Sequence, residues 1–178
     1  MPNVEIKASY NDHQKALKIA QELDTEYVGT LHQIDTYYNT KHGRIKLREI
    51  NGESAQLIPY YKEYSKGPMK SSYALLPVDE PEELKEILNK TLGLLSIVDK
   101  VREVYLLDNI RIHIDKVKGL GSFIEFEAVY KGEEKREGEV EKLRVLMEKF
   151  QIEQEQLKDR SYIDYLLEAS DVIEGRKN

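Results

Sequence analysis

The sequence has no cysteine among its 178 residues. This absence excludes disulfide bonds, thiolate metal sites and a cysteine nucleophile, and it favours a reducing compartment, so we expect a cytoplasmic protein. No apolar run approaches the roughly 20 residues that a membrane-spanning helix needs. The first ten residues carry Glu5 and Lys7 rather than a basic segment followed by an apolar block. They therefore do not resemble a signal peptide.

An excess of basic charge is also lacking, since the net charge is −6 with 34% charged residues. A nucleic-acid-binding surface is normally broadly basic, so the composition argues against a nucleic-acid partner. The charges are nevertheless sorted along the chain. Basic residues concentrate in segments 41–48, 62–70 and 100–118, and acidic residues in 79–86 and 133–155. Because the basic segments are strand-like and the acidic ones helical, this sorting indicates a basic cavity inside an acidic exterior.

The pattern of elements predicts one α+β domain over residues 1–178. Helices are expected after a cap at Asn11 or Asp12, from Pro81 to Gly93, around 140–150 and at 161–167. Asn51-Gly52 is a strong signal for a hairpin turn. Eight strands are predicted, at 4–10, 28–40, 43–51, 54–64, 69–78, 95–107, 109–118 and 121–131. Sequential hairpins of this kind are typical of a closed or nearly closed antiparallel β-barrel, with the helices packed outside.

Five of the strands have one apolar face and one ionic face. In the first, Glu5 and Lys7 oppose Val4 and Ile6, because side chains alternate along a strand. The ionic faces of the other four carry Arg44, Lys46 and Arg48; Lys100 and Arg102; Arg111, His113 and Asp115; and Glu125 and Glu127. A sheet with one solvated face would show the same alternation. The helices need the apolar faces to pack against, however, which leaves the charges on the inside.

A lumen with this lining needs an anion, because like charges on neighbouring strands repel. A triphosphate suits it, since arginine holds phosphate oxygens bidentately and lysine acts as a point charge. The predicted lumen cations are Arg44, Lys46, Arg48, Lys62, Lys100, Arg102 and Arg111. Carboxylates from several strands could hold Mg²⁺ or Mn²⁺, which prefer oxygen ligands and bridge phosphates. Without cysteine or paired histidines, the sequence does not favour zinc.

An ordered set of motifs resembles the CYTH superfamily, the triphosphate tunnel metalloenzymes that include class IV adenylyl cyclases and thiamine triphosphatases. The motifs begin with Glu5-Ile6-Lys7 on the first strand. The others, in order, are Asp35-Thr36-Tyr37-Tyr38, residues 43–49, Lys62, residues 100–102, 111–115 and 119–127, and Ser161-Tyr162. They span nearly the whole chain, and the later ones resemble the cyclase-like branch more than the thiamine triphosphatase branch.

The resemblance implies roles for individual residues. Those that would bind phosphate are Lys7, Lys46, Arg48, Lys62, Lys100, Arg102 and Arg111, with Arg160 a looser candidate for closing the tunnel. Those that would bind the metal are Glu5, Asp115, Glu125 and Glu127. The catalytic candidates are Lys7, Tyr37 and Lys62, the last two matching a pair that activates water in hydrolytic relatives. Where the family has its first glutamate this chain has Asn3, which leaves the number of metal ions open.

The expected partner is a nucleotide or organic triphosphate, with no nucleic acid and no membrane, and a homodimer is left open. Three functions remain. A cyclase would direct the ribose 3′-hydroxyl of ATP onto the α-phosphorus, giving cyclic AMP and pyrophosphate. A triphosphatase would direct water onto the terminal phosphorus of thiamine triphosphate, inorganic triphosphate or a nucleotide. A non-catalytic module would bind polyphosphate or nucleotide without turnover. The cyclase-like motifs favour the first.

Overall fold

The computed structural model describes residues 2–63 and 67–175, the last four of these by their backbone alone. The strands are β1 (Pro2–Ser9), β2 (Glu26–Tyr38), β3 (Arg44–Ile50), β4 (Ser54–Glu63), β5 (Met69–Tyr73), β6 (Leu76–Val78), β7 (Leu94–Leu107), β8 (Ile110–Val117), β9 (Gly121–Val129) and β10 (Leu157–Lys158). The α-helices are α1 (His13–Glu22), α2 (Pro81–Thr91), α3 (Arg136–Lys149) and α4 (Tyr162–Gly175).

Eight of the strands form a closed antiparallel barrel in the order β1-β5-β4-β3-β2-β7-β8-β9. The ring closes at β1, which pairs with β5 on one side and with β9 on the other. The short strands β6 and β10 pair with β4 and β1. The predicted α+β barrel is confirmed. It differs in three places: the segment predicted as one strand at 69–78 divides into β5 and β6, the short strand β10 was not predicted, and α4 continues well past residue 167. Tyr64, the predicted end of β4, lies outside the described residues.

The apolar outer faces of the strands pack against helices. Ile112 and Phe126 belong to a buried cluster that takes in Ala16 and Ala20 of α1 and Leu143 of α3. Asp12 caps α1 by accepting a hydrogen bond from the backbone of Lys15. On another side, Leu84 and Leu88 of α2 pack on Leu47. Since the helices take up the apolar faces, the ionic faces are directed into the barrel.

The first turn of α4 lies across one end of the barrel. Tyr162 and Ile163 pack on Tyr37, Val98, Val117 and Phe123, which come from β2, β7, β8 and β9. The Tyr162 hydroxyl donates to Asp115 at 2.7 Å, and Arg44 of β3 forms an ion pair with Asp164 at 2.6 Å. These contacts reach strands on different sides of the ring, so α4 closes this end.

Tilted strands of a closed barrel stack their inward side chains in layers. Four layers can be counted outward from α4. The first contains Lys7, Tyr37, Lys62 and Val98, and the second contains Glu5, Asp35, Lys46, Lys100 and Glu125. The third contains Asn3, Gln33, Arg48, Arg102, His113 and Glu127, and the outermost contains Leu31, Ile50, Gln56, Leu75, Val104 and Arg111. Leu75 is 48% exposed and the Arg111 side chain 42% exposed, so the outermost layer is the open end. Within the described part of the chain, no helix is long and apolar enough to cross a membrane.

We expect Tyr162→Phe to lower the free energy of unfolding by about 1.5–3 kcal/mol, the usual value of a hydrogen bond to a charged group. The change leaves Asp115, which is 0% exposed, with one donor fewer. Urea unfolding measures the loss. Tyr165→Phe is the control, because the partner of its hydroxyl, Asp159, lies at a less buried position. Equal losses in the two variants would contradict the account of how α4 is held.

Candidate functional site

A cavity of about 380 Å³ occupies the lumen. Its lining brings together eleven of the predicted site residues: Glu5, Lys7, Tyr37, Lys46, Arg48, Lys62, Lys100, Arg102, Arg111, Glu125 and Glu127. Two other candidates, Asp115 and Arg160, are not part of this lining.

Three cations converge on the single carboxylate of Asp35. Arg48 donates from Nε to Oδ1 at 2.7 Å and from Nη2 to Oδ2 at 2.8 Å. Lys46 and Lys100 reach Oδ2 at 2.9 and 3.2 Å. Burial opposes ionisation of Asp35, but the three cations outweigh it and hold the pKa of this carboxyl well below its usual range. One carboxylate thus neutralises one of three positive charges, and the group keeps an excess.

The excess positive charge contributes to lowering the pKa values of the two lysines. Burial, together with the neighbouring Arg48, lowers the pKa of Lys46 to about 8. Burial and the charges of Arg48 and Arg102 also hold the pKa of Lys100 well below its usual value. Both lysines therefore lie where an added negative charge would stabilise their protonated forms.

Asp115 lies behind Arg102 rather than facing the cavity. Its two oxygens accept the Arg102 fork at 2.8 and 2.7 Å, and the Tyr162 hydroxyl takes a further position on Oδ2. Burial opposes its ionisation, but Arg102 lowers the pKa of the carboxyl below its usual value. In this arrangement Asp115 orients Arg102 toward the lumen, whereas the sequence analysis expected it to be a metal ligand.

Three side chains on one wall could hold a metal ion: His113, Glu125 and Glu127, whose ligand atoms all lie within 4.8 Å of one another. Lys7 approaches Glu125 at 3.2 Å, and His113 Nδ1 lies 3.2 Å from its other oxygen. Burial disfavours the charged form of Glu125, but Lys7, His113 and Arg102 hold its pKa well below the usual range. Ionised carboxylate oxygens fit the preference of Mg²⁺ or Mn²⁺. Glu5 lines the same cavity but is bound to Lys62.

Asn3 is part of this wall as a hydrogen-bond donor. Its Nδ2 donates to Glu127 Oε1 at 2.6 Å, and its Oδ1 accepts from the Ser71 hydroxyl. Arg111 lies 3.7 Å from the other oxygen of Glu127. The neutral amide thus occupies the position where the related motif has a carboxylate, and it holds Glu127 in place.

Tyr37 contacts a different lysine from the one expected. Its hydroxyl accepts from Lys46 Nζ at 3.4 Å and from the Tyr60 hydroxyl at 3.3 Å, whereas Lys62 Nζ donates to Glu5 at 2.5 Å. Burial opposes the charge of Lys62, but Glu5 and Glu125 raise its pKa above the usual value. Burial and Tyr60 raise the pKa of Tyr37 well above its usual value, so this phenol stays protonated. Lys46 is therefore the better proton acceptor of the two lysines.

Arg160 lies outside the tunnel. Its side chain is 45% exposed and pairs with Glu168 at 3.0 Å, with Asp159 at 3.7 Å. The next two residues, Ser161 and Tyr162, line the closed end instead. Arg160 is thus next in sequence to the residues at the closed end, but its own side chain faces outward.

Several lumen residues were given no role from the sequence: Gln33, Tyr60 and Ser71, and also Asp35, which belongs to one of the motifs. For β2 a signal was present: Gln33, Asp35 and Tyr37 are two residues apart and so share a face. Because this face mixes polar, acidic and aromatic side chains, it does not show the ionic alternation used for the other strands.

A closed antiparallel barrel with a cationic lumen and a carboxylate wall defines the class of triphosphate tunnel proteins. The chain belongs to the CYTH domain family, whose family model matches residues 1–162. Members of this family are in general metal-dependent enzymes that act on nucleotide triphosphates.

Similar proteins cover almost the whole chain. A Methanocaldococcus jannaschii protein named "putative adenylate cyclase" is 23% identical over 179 residues, covering 92% of this chain and 98% of its own. The solved structure of a Pyrococcus horikoshii protein, PH1819, is 27% identical with a TM-score of 0.73, covering 94% and 99% of the two chains. A Vibrio parahaemolyticus structure, also named "putative adenylate cyclase", is 20% identical with a TM-score of 0.78, covering 92% and 97%.

We expect triphosphate affinity to fall as pH rises above about 8. A bound polyanion favours the charged form of Lys46, so binding raises a pKa that stands at about 8 in the empty tunnel. Above that pH binding takes up a proton, and the dissociation constant should rise by up to about tenfold per pH unit for each lysine that takes one up. Titration calorimetry across this range measures the slope. Lys46→Arg, which stays charged, should flatten it in part, with Lys100 supplying the remainder. A constant affinity would contradict the prediction.

We expect Asn3→Glu to destabilise the metal-free protein by about 1–3 kcal/mol, because a donor to Glu127 is replaced by a like charge. Asn3→Gln is the matched control, since it has the same length and keeps the amide. Urea unfolding in a chelator compares the two, and added Mn²⁺ should stabilise the glutamate variant more than the glutamine variant. A glutamate variant as stable as the wild-type protein in chelator would show that the Asn3–Glu127 contact contributes little to the free energy of unfolding.

Proposed function

We propose that this protein is a metal-dependent enzyme acting on a nucleotide or organic triphosphate, and that its reaction is that of a class IV adenylyl cyclase, converting ATP to cyclic AMP and pyrophosphate. One observation supports this most strongly: buried cations in the lumen outnumber the carboxylates that neutralise them. Arg48, Lys46 and Lys100 share the single carboxylate of Asp35. Buried cations that lack enough carboxylate partners are stabilised when a polyanion binds to them.

The phosphate-binding residues we propose are Lys7, Lys46, Arg48, Lys62, Lys100, Arg102 and Arg111, all of which line the cavity. Because α4 closes one end, a substrate enters with its triphosphate first. The terminal phosphate then lies near Tyr37 and Lys62, and the α-phosphate lies nearer the open end. Arg102 is held for this role by Asp115, which fixes the direction of its guanidinium.

Glu125 and Glu127, with His113 beside them and Glu5 nearby, would hold the divalent cation. When bound, such an ion neutralises charge on phosphate oxygens and makes the phosphorus easier to attack. Glu127 and His113 lie in the third layer from α4, on the side expected for the α-phosphate. This position favours the cyclase, in which the α-phosphorus is attacked.

A second candidate is a triphosphatase, favoured by the contact between Lys46 and Tyr37 near the closed end. There Lys46, which a bound polyanion keeps protonated, would neutralise charge on the terminal phosphate, and the Tyr37 hydroxyl would orient the attacking water. This pair of Lys46 and Tyr37 lies far from the open end, where a ribose 3′-hydroxyl would be. The two reactions therefore use opposite ends of the bound triphosphate.

Product analysis separates these functions. Purified protein is incubated with Mg²⁺ or Mn²⁺ and ATP, GTP, thiamine triphosphate or inorganic triphosphate, and the products are resolved. We expect cyclic AMP and pyrophosphate from ATP. Orthophosphate would instead identify a triphosphatase, and binding without product a non-catalytic module. Absence of binding to every triphosphate would contradict the proposal as a whole.

We expect Arg48→Ala to weaken triphosphate binding by about 1.5–3 kcal/mol, the value of a charge-assisted hydrogen bond, or at least about tenfold in Kd. The fold should persist, because Asp35 keeps Lys46 and Lys100 as partners. Arg144→Ala on the exposed face of α3 is the control for loss of an arginine. Calorimetric titration with inorganic triphosphate measures both variants, and equal affinities would remove Arg48 from the site.

A further inference from the structure

We propose that His113 is a ligand of the metal ion, and that this nitrogen donor makes the site select a transition-metal ion such as Mn²⁺ over Mg²⁺. The inference rests on the proposed function, in which Glu125 and Glu127 hold a divalent cation. It goes further by naming the class of ion that this site takes and by assigning the selection to one residue.

Two carboxylates that could have supplied oxygen ligands are engaged elsewhere. Asp115 is 0% exposed and accepts two hydrogen bonds from Arg102 and a third from the Tyr162 hydroxyl. Glu5 is bound to Lys62 at 2.5 Å. Neither carboxylate is therefore free to complete a site made of oxygen alone.

Asn3 does not complete such a site either. Its Nδ2 donates to Glu127 Oε1 at 2.6 Å, and its Oδ1 accepts from the Ser71 hydroxyl. The amide NH₂ is a hydrogen-bond donor and offers no lone pair to a cation. The wall is therefore short of oxygen ligands at the point where Glu125 and Glu127 lie together.

His113 lies where a further ligand would be. It pairs across the sheet with Glu125, lines the cavity, and has a side chain that is 7% exposed. One of its ring nitrogens lies within 4.8 Å of ligand oxygens of both Glu125 and Glu127. Its Nδ1 is 3.2 Å from Glu125 Oε1. Neighbouring ligands of an octahedral ion with bonds of about 2.1 Å are separated by a similar distance, about 3 Å.

A nitrogen ligand changes which ion the site prefers. Mg²⁺ favours oxygen ligands in nearly ideal octahedral geometry and gives up its water reluctantly. Imidazole suits transition-metal ions, and the affinity of a site for them rises from Mn²⁺ to Co²⁺. Two carboxylates with one imidazole are therefore better matched to Mn²⁺ or Co²⁺ than to Mg²⁺.

The cations near the wall do not alter this preference. Lys7 and Arg102 lie 3.2 and 3.6 Å from Glu125, and Arg111 lies 3.7 Å from Glu127. They oppose any dication, but Mn²⁺ and Mg²⁺ carry the same charge, so the repulsion is nearly equal for both. The neighbouring cations lower the affinity for either ion, and the ligand atoms decide between them.

The first test uses Mn²⁺ bound to the wild-type protein without nucleotide. Pulsed electron paramagnetic resonance detects coupling of Mn²⁺ to a directly coordinated imidazole nitrogen, which a histidine that merely orients Glu125 would not give. Titration of the Mn²⁺ signal gives its Kd, and competition by Mg²⁺ or Co²⁺ gives theirs. We expect the nitrogen coupling, a Kd about tenfold or more lower for Mn²⁺ than for Mg²⁺, and a lower one still for Co²⁺.

His113→Asn tests the residue itself, because it removes the imidazole but keeps an N–H that can donate to Glu125. We expect the variant to lose the nitrogen coupling and to bind Mn²⁺ about tenfold more weakly, while its Mg²⁺ affinity changes by less than about threefold, since water or an amide oxygen suits Mg²⁺. His42→Asn, at an exposed position, is the matched control and should keep the wild-type values.

The inference is overturned if wild-type protein binds Mn²⁺ without nitrogen coupling, if Mg²⁺ binds as tightly as Mn²⁺, or if His113→Asn keeps the coupling. The wild-type spectrum decides the matter even if the variant does not fold. Wild-type protein that binds no divalent cation contradicts the metal dependence in the proposed function as well. If the coupling is present but no triphosphate is converted, the metal assignment stands and the proposed reaction is wrong.

Discussion

Closure of the barrel is the constraint on which the rest of the structure depends. Because side chains alternate along a strand, a closed sheet must direct one face of every strand inward. In this chain the helices cover the apolar faces, so ionic side chains fill the lumen out of bulk water. There each charge needs a partner, and the carboxylates of Asp35, Asp115 and Glu125 each hold one or more cations. Every feature of the site follows from how these charges are shared.

The charged side chains and their partners are distributed unevenly along the tunnel, so its two ends differ in chemistry. Near α4 the lining combines lysines with Tyr37, and it is closed by Tyr162. The middle holds the Asp35 cluster and the carboxylate wall, and the outermost layer is largely aliphatic. A molecule with an anionic end and an organic end matches this order in one orientation only. The same orientation brings the α-phosphate to the wall of Glu127 and the terminal phosphate to Lys46. Attack on the α-phosphorus would make the protein a cyclase, and attack on the terminal phosphorus would make it a triphosphatase.

Much of this could be predicted from the sequence, because alternation fixes which face a side chain occupies. The lumen positions of Lys46, Arg48 and Glu127 follow from it. Alternation does not fix partners across the barrel, which depend on strand tilt and on side-chain length. The contact of Tyr37 with Lys46, and the position of Asp115 behind Arg102, therefore could not be predicted. The extent of α4 and the outward direction of Arg160 depend on tertiary packing that no local pattern shows.

The central claim is that the lumen binds a triphosphate. A crystal structure of the protein with a non-hydrolysable ATP analogue and Mn²⁺ tests it most directly. The account predicts phosphate density inside the barrel within hydrogen-bond distance of Arg48, Lys62 and Lys100, with the terminal phosphate toward α4 and anomalous signal beside Glu125 and Glu127. Density on the outer surface, or a lumen in which Asp35 keeps all three cations and no phosphate is bound, would contradict it.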